Sequence, residues 1–463
     1  MADPDLAEIE KDDAQSDGYE LDDRLLPDIR EAVAEGDRAQ LDELIEPLHP
    51  ADIADLLEQM EGGQRRELIA MAADIVDGEV LSEISEGTRE EVIESLPAAV
   101  LTDAVRDLDS DDVVDILEDL EEPQQEAILD VLDDADRVAA EQSLSYPEDS
   151  AGRLMQREVV MAPEHWNVGQ AIDFLRASDD LPEQFYHMIL VDPRLKPKGY
   201  VTLGRLLGSK REVKLSDITE ESFRTIPVDQ DEGEVAYAFN QYHLISAPVV
   251  DSDERLVGVI TIDDAMIVLD EEHEEDILRL AGISEGSLTD RVIATTKRRF
   301  PWLFVNLITA ILASLVIAQF DAAITQIVAL AVLMPIVASM GGNAGTQSLT
   351  VAVRSIATKD LTGANVWRVI RRECLVGLVN GVIFAVVMGI VGILWFGSPA
   401  LGGVIAAAMV INMVVAGLAG TVIPVILERL SIDPALASGA FVTTVTDVVG
   451  FFAFLGLAAV VLL

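Results

Sequence analysis

Hydrophobic positions along the 463-residue chain change their period twice. From about Leu21 to Leu144 they recur at i, i+3 and i+4 in short runs. Examples are ADIADLLEQM (Ala51–Met60), REEVIESL (Arg89–Leu96), DDVVDILEDL (Asp111–Leu120) and QQEAILDVL (Gln124–Leu132). That spacing covers one face of a helix, and Pro, Gly or Asp punctuates the runs, so the region predicts a stack of short amphipathic helices. The pattern leaves the hand of the stack open. Ser110, ahead of Asp111 and Asp112, is the expected N-cap of its helix. Residues 1–20 are acidic and aperiodic, which predicts a disordered tail.

From about Tyr146 the texture becomes that of strands, and it repeats. HMILVDPRLKPKGYVTLGRLL (His187–Leu207) aligns without a gap on SAPVVDSDERLVGVITIDDAM (Ser246–Met266). His187 then falls on Ser246, Gly199 on Gly258, and Thr202 on Thr261. Each copy reads as a strand, a polar turn, a second strand and a helix. The pair resembles tandem cystathionine-β-synthase-type (CBS) domains, a regulatory module; the resemblance implies nucleotide binding or an ion response.

Ile267–Arg299 predicts a connecting helix with a break point at Gly282 and Gly286, ending in the basic collar Lys297-Arg298-Arg299. Five apolar stretches follow, at about 300–320, 324–353, 374–396, 401–427 and 437–463. Each reaches the roughly 20 residues that a spanning helix needs. Basic residues gather in the collar and in the 354–372 loop, whereas the 319–323 and 397–400 links have none. The positive-inside rule places that loop and the N-terminal part in the cytosol, and five crossings put the C-terminus outside. The N-terminus carries no signal-peptide pattern, which agrees. The expected organisation is therefore multi-domain: a tail at 1–20, an all-α N-domain at 21–145, α/β tandem CBS domains at 146–266 (about 153–212 and 213–266), a connecting helix at 267–299, and a membrane domain of five transmembrane helices at 300–463.

The net charge of −50 changes the picture only after it is located. Residues 300–463 hold six acids and six bases, so the soluble part carries all of the excess. Such a surface repels phosphates, so no nucleic-acid partner is expected. Divalent-cation binding or adaptation to a salt-rich cytoplasm would explain it. Cys374 is the only cysteine, which excludes an intrachain disulfide or a thiolate cluster. No Walker motif, nucleophile–base pair or metal-hydrolase motif is present, so an enzyme is not expected.

The candidate chemistry lies in the membrane. Pro335–Gln347, PIVASMGGNAGTQ, interrupts an apolar span with a proline, three glycines, Asn343, Thr346 and Gln347. It reads either as a polar break lining a water-filled path or as a kinked helix whose glycines let neighbours pack; the first is the favoured expectation. Asp447 is the one acid deep in a span, beside Thr443, Thr444 and Thr446, and a mid-membrane carboxylate marks a bundle interior or an ion path. Asn306, Gln319, Asn380 and Asn412 read singly as packing residues, and Pro424 as a kink in the fourth span. All five histidines lie in the soluble part, so the donors available to a permeating ion are oxygens. They suit a hard, hydrated ion such as Mg²⁺, and would accept Co²⁺ or Mn²⁺ as well.

Four motifs in this domain order, EDSAGRLM (Glu148–Met155), GGNAGTQS (Gly341–Ser348), DPALASG (Asp433–Gly439) and VTDVVGF (Val445–Phe451), resemble the MgtE magnesium channel/transporter family over nearly the whole chain. The resemblance implies a homodimer in the plasma membrane with a central Mg²⁺ path that closes when cytosolic Mg²⁺ is high. By position it implies pore ligands at Asp447 and Asn343, with backbone carbonyls at Ser339 and Thr443. It implies a cytosolic Mg²⁺ sensor at Asp111, Asp264, Glu79, Glu272, Glu275 and Asp276. Adenine nucleotide is a further implied ligand, at the CBS pair, with Asp251 or Asp264 near its cleft. Ile267, His243 and Gly233 depart from acidic positions that relatives can carry. The competing classes are a membrane-anchored CBS nucleotide sensor and a broader divalent-cation transporter.

Overall fold

The computed structural model describes residues 25–463, apart from 107, 119, 121, 179–180, 183, 221–222, 281, 284–291 and 431. The predicted tail at 1–20 and Gly286 lie outside the described residues. The chain separates into two units, Met1–Glu271 and Glu272–Leu463.

The first unit begins with short helices, from Leu25–Glu35 to Ala151–Leu154, including α1 (Gly78–Glu83) and α2 (Ser110–Glu118). The apolar stripes of the helices up to Asp134–Ser143 meet in one core, where Leu56, Leu57, Leu68, Ile69, Leu81, Ile84, Ile116 and Leu117 are fully buried, whereas Ala151–Leu154 packs with the second sheet. A helix end buried in a stack needs donors for its last carbonyls. Buried Arg65 supplies them to Leu57 and Met60 at 2.8 and 3.0 Å, and reaches Glu91 at 2.6 Å. Arg89 repeats the device on Ile84 and Ser82 while pairing with Asp115. Gln125 does the same for Leu117 and Leu120. Ser110 is not the expected N-cap. It lies inside α2, and its hydroxyl instead donates to Glu158 and accepts from the Arg157 N–H, both at 2.8 Å.

Two three-stranded sheets follow: β1 (Met161–Pro163), β2 (His187–Val191) and β3 (Pro197–Thr202), then β4 (Ile226–Pro227), β5 (Ser246–Val250) and β6 (Leu256–Thr261). In each, the first strand runs parallel to the second, and the second antiparallel to the third. His187 pairs with Thr202 as Ser246 pairs with Thr261, and the same irregularity falls at 190/191 and 249/250. The gapless alignment read from the sequence is thus a register in space. Helix α3 (Glu232–Tyr242) packs on the second sheet, and α4 (Ile262–Leu280) leaves β6 directly. The connecting segment is not one helix: α4 ends at Leu280, and Gly282 takes φ +78°, a left-handed backbone that suits glycine.

Among the described residues, the second unit holds five helices long and apolar enough to cross a membrane: α5 (Val292–Ala318), α6 (Ala329–Ala357), α7 (Val366–Phe396), α8 (Pro399–Arg429) and α9 (Pro434–Val461). Helix α8 is the centre, packing on α6, α7 and α9. Its approach to α7 is close, since a Cβ on Gly377 would stand 2.5 Å from the Met413 carbonyl. The stretch Pro335–Gln347 is helical throughout, so the favoured reading of a backbone break is wrong. A continuous helix satisfies each peptide group internally, and in hydrocarbon that outweighs a penalty of about 1 kcal/mol per glycine. Pro424 likewise sits inside an uninterrupted helix.

Candidate cation path and carboxylate clusters

Helix α6 has two unlike faces. Val337, Gly341, Gly345, Ser348 and Ala352 are buried, whereas Ser339, Asn343, Thr346, Gln347 and Thr350 are exposed. The exposed polar residues follow helical spacing, so they form one stripe on an otherwise apolar span. The glycines serve the buried face. Gly345 meets the Val442 side chain of α9, where an added Cβ would stand 2.6 Å away. Gly341 lies against Asn412 of α8, which is fully buried. Asn412 donates to the Val337 carbonyl at 2.8 Å, and a Cβ on Gly450 of α9 would sit 2.7 Å from its nitrogen. One amide therefore keys three helices together. Its oxygen finds no hydrogen-bond partner among the described residues.

On α9, Val442, Thr446 and Gly450 face the bundle. Asp447 follows Thr446 and is half-buried, and Thr443 is exposed. The hydroxyls nearby do not bind Asp447. Thr443 donates to Gly439, Thr444 to Ala440 and Thr446 to the Thr443 carbonyl, at 2.9, 2.6 and 3.0 Å. On α6, Thr346 donates to Gly342 and Thr350 to Thr346, both at 3.0 Å. With its proton spent on a main-chain carbonyl, each exposed hydroxyl presents lone pairs outward, which suits the water shell of a cation. The Thr443 carbonyl already accepts from Thr446, and the Ser339 carbonyl lies within the α6 helix.

In the first unit, Asp111 and Asp264 do come together. Asp111 opens α2 and Asp264 opens α4. Burial, with the charges of Asp264, Asp112 and Asp109, pushes the Asp111 carboxyl well above its ordinary value. Burial pushes Asp112 up to about 7, with Asp264 and Asp109 adding to it. Asp264 is pushed up to about 6, chiefly by burial and then by Asp263, although a Thr261 hydroxyl bond at 2.8 Å opposes the shift. Asp112 and Asp109 were not singled out from the sequence; the adjacent pair Asp111-Asp112 was the available signal. Glu79 is exposed on the first turn of α1. A second group surrounds Glu232 on α3, which burial and then Asp149, Glu271 and Glu118 push up to about 7. Asp251 accepts from the Asp253 and Arg255 N–H groups, holding its own turn.

In the second unit, Glu275 pairs with Arg279, and Arg279 lies 3.5 Å from Asp433. Burial and then Asp433 raise the Asp276 carboxyl, while Arg279 and His273 oppose. Asp433 belongs to the DPALASG motif, but the sequence assigned it no role. Among the described residues, no three His, Cys, Asp or Glu side chains stand close enough to hold a metal ion. These carboxylates form repelling neighbourhoods, not closed ligand sets.

Family models match at residues 334–457 (MgtE, divalent cation transporter), 48–149 (MgtE intracellular N domain) and 215–271 (CBS domain). Over 449 residues the chain is 31% identical to the magnesium transporter MgtE of Thermus thermophilus, covering 96% of this chain and 99% of that one. The chain belongs to the MgtE family. It is also 29% identical over 418 residues to the magnesium transporter MgtE of Bacillus subtilis, across 90% of this chain and 92% of the relative. The solved cytosolic domain of the Mg²⁺ channel MgtE in complex with ATP is 31% identical, with a TM-score of 0.48, over 53% of this chain and all of that one. MgtE membership makes the chain a membrane transporter by class. The polar stripe and Asp447 both fall inside the matched 334–457 segment.

Proposed function

We propose that the chain is a Mg²⁺-selective channel of the plasma membrane, working as a homodimer and closed by Mg²⁺ on its soluble carboxylates. The observation that carries this reading is the stripe Ser339, Asn343, Thr346 and Thr350 on α6, exposed along a span that hydrocarbon should cover with apolar groups. Two copies facing each other through α6 and α9 would enclose the stripe with Asp447 and give it water. Asp447 and Asn343 would then hold a hydrated ion by its waters, as suits Mg²⁺, which sheds them reluctantly.

Closure follows from charge. The carboxylates around Asp111, Asp264 and Asp112 repel one another, and a divalent ion among them would turn repulsion into a bridge. Glu272, Glu275 and Asp276 offer a second such place, and Glu79 a further ligand. The ion shifts the balance only by binding one arrangement more tightly than the other. The test is Mg²⁺ flux into liposomes, with Co²⁺ as competitor. Asp447→Ala should abolish flux while the protein still elutes as a dimer; undiminished flux would overturn the pore assignment. Equal Co²⁺ and Mg²⁺ flux would replace selectivity by a broader divalent-cation path.

A further inference from the structure

At the N-terminal end of α7 a surface groove of about 740 Å³ opens on one side of the helix. Its upper part is lined by Ala364, Trp367, Arg368, Arg371 and Arg372, and its lower part by Leu375, Val376 and Val379, with Asn380 at its end. These positions recur at three and four residues, so they form one continuous stripe. Trp367 is 69% exposed, and all three arginines are exposed. Arg372 is engaged, its Nε 3.4 Å from the buried Glu373 carboxylate, which also accepts from Ser348 at 3.0 Å. Among the described residues no acid pairs with Arg368 or Arg371.

We propose that this groove binds an anionic phospholipid, with the headgroup phosphate on Arg368 and Arg371 and one acyl chain along Leu375, Val376 and Val379. Depth supports the assignment. Arg371 to Val379 spans eight residues, roughly 12 Å at 1.5 Å each, close to half of a ~30 Å hydrocarbon core. The order along the stripe is that of a lipid: an interfacial aromatic, then cationic forks that match phosphate, then an apolar wall. A protein segment would have no reason to follow that depth profile. The contrast with the rest of the chain adds to it, since an anion finds few other welcoming surfaces on a molecule of net charge −50. The inference rests on membrane insertion and not on which cation passes.

The full chain would be reconstituted in vesicles of equimolar phosphatidylglycerol and phosphatidylcholine, and retained lipid read by native mass spectrometry. Wild type should retain phosphatidylglycerol in preference. Arg368→Gln with Arg371→Gln should lower that preference roughly 30-fold, at about 1 kcal/mol per basic residue. Arg368→Lys with Arg371→Lys, which keeps the charge but not the fork, should retain an intermediate preference, below wild type and above the glutamine pair. Arg354→Gln with Arg429→Gln, which removes the same charge elsewhere, should leave it unchanged. Retention without preference in wild type, or equal loss in the two glutamine pairs, would overturn the site. So would efficient disulfide formation between copies bearing Val376→Cys in a Cys374→Ser background, since a second copy would then cover the groove.

Discussion

Asp264→Asn should stabilise the N-terminal unit in the absence of Mg²⁺ and weaken its response to the ion. The perturbation is nearly isosteric, and the Asn oxygen can still accept from Thr261 Oγ1, which lies 2.8 Å from Asp264. What changes is charge. Burial moves the Asp264 carboxyl from the usual 3.8 up to about 6. A group raised in the folded state contributes stability below its unfolded value, and that contribution is lost as pH climbs through the folded value. The window is therefore about pH 4 to 7, with Asp112, pushed up to about 7, extending its upper edge. Two pH units correspond to about 3 kcal/mol at most, and nearer 1–2 kcal/mol once penetrating water screens the charges. The assay is the rate of limited proteolysis of the full chain, wild type against variant, between pH 4.5 and 7.5. The variant's advantage should be small at pH 4.5 and grow to its full size at pH 7.5. Mg²⁺ at a hundredfold excess over Kd should then protect wild type by about 3 kcal/mol, and the variant much less. A variant less resistant than wild type at pH 7.5 without Mg²⁺, or a difference that does not vary with pH, would refute the reasoning.

Other outcomes follow from the packing. Arg65→Ala strips the donors from the Leu57 and Met60 carbonyls, so it should cost about 1–3 kcal/mol in resistance to proteolysis, with little added by the part-exposed Glu91; exposed Arg66→Ala should stay within about 0.5 kcal/mol. Gly341→Ala drives a methyl into Asn412 and should lower flux and the yield of folded protein, at an overpacking cost of about 1–3 kcal/mol, whereas Gly342→Ala meets open space and should change neither. The Mg²⁺ titration of protease protection should be shallower in molar KCl than in dilute KCl, because screening to about 3 Å already quiets the carboxylates that the ion would bridge; equal steepness in both would contradict this.

Periodicity alone determined much of this protein. Short amphipathic runs had to stack, because each has one apolar stripe and no other way to bury it. The gapless repeat became sheet register because strand side chains alternate between faces, and an alignment without insertions preserves that alternation. Five long apolar runs became helices long and apolar enough to cross a membrane, the backbone form that satisfies its own polar groups in hydrocarbon. Tertiary structure decided the rest. Whether GGNAG breaks or continues a helix depends on the neighbours, and the answer came from Asn412 and Val442, distant in sequence, filling the space that glycine leaves. Ser110 looked like a cap until Glu158 and Arg157 arrived to claim its hydroxyl. Asp111 could be singled out in the sequence through family resemblance, but its perturbation needs Asp264, from the far end of the same unit's sequence, to share its burial. A carboxylate's identity is local, whereas the field it sits in belongs to the fold.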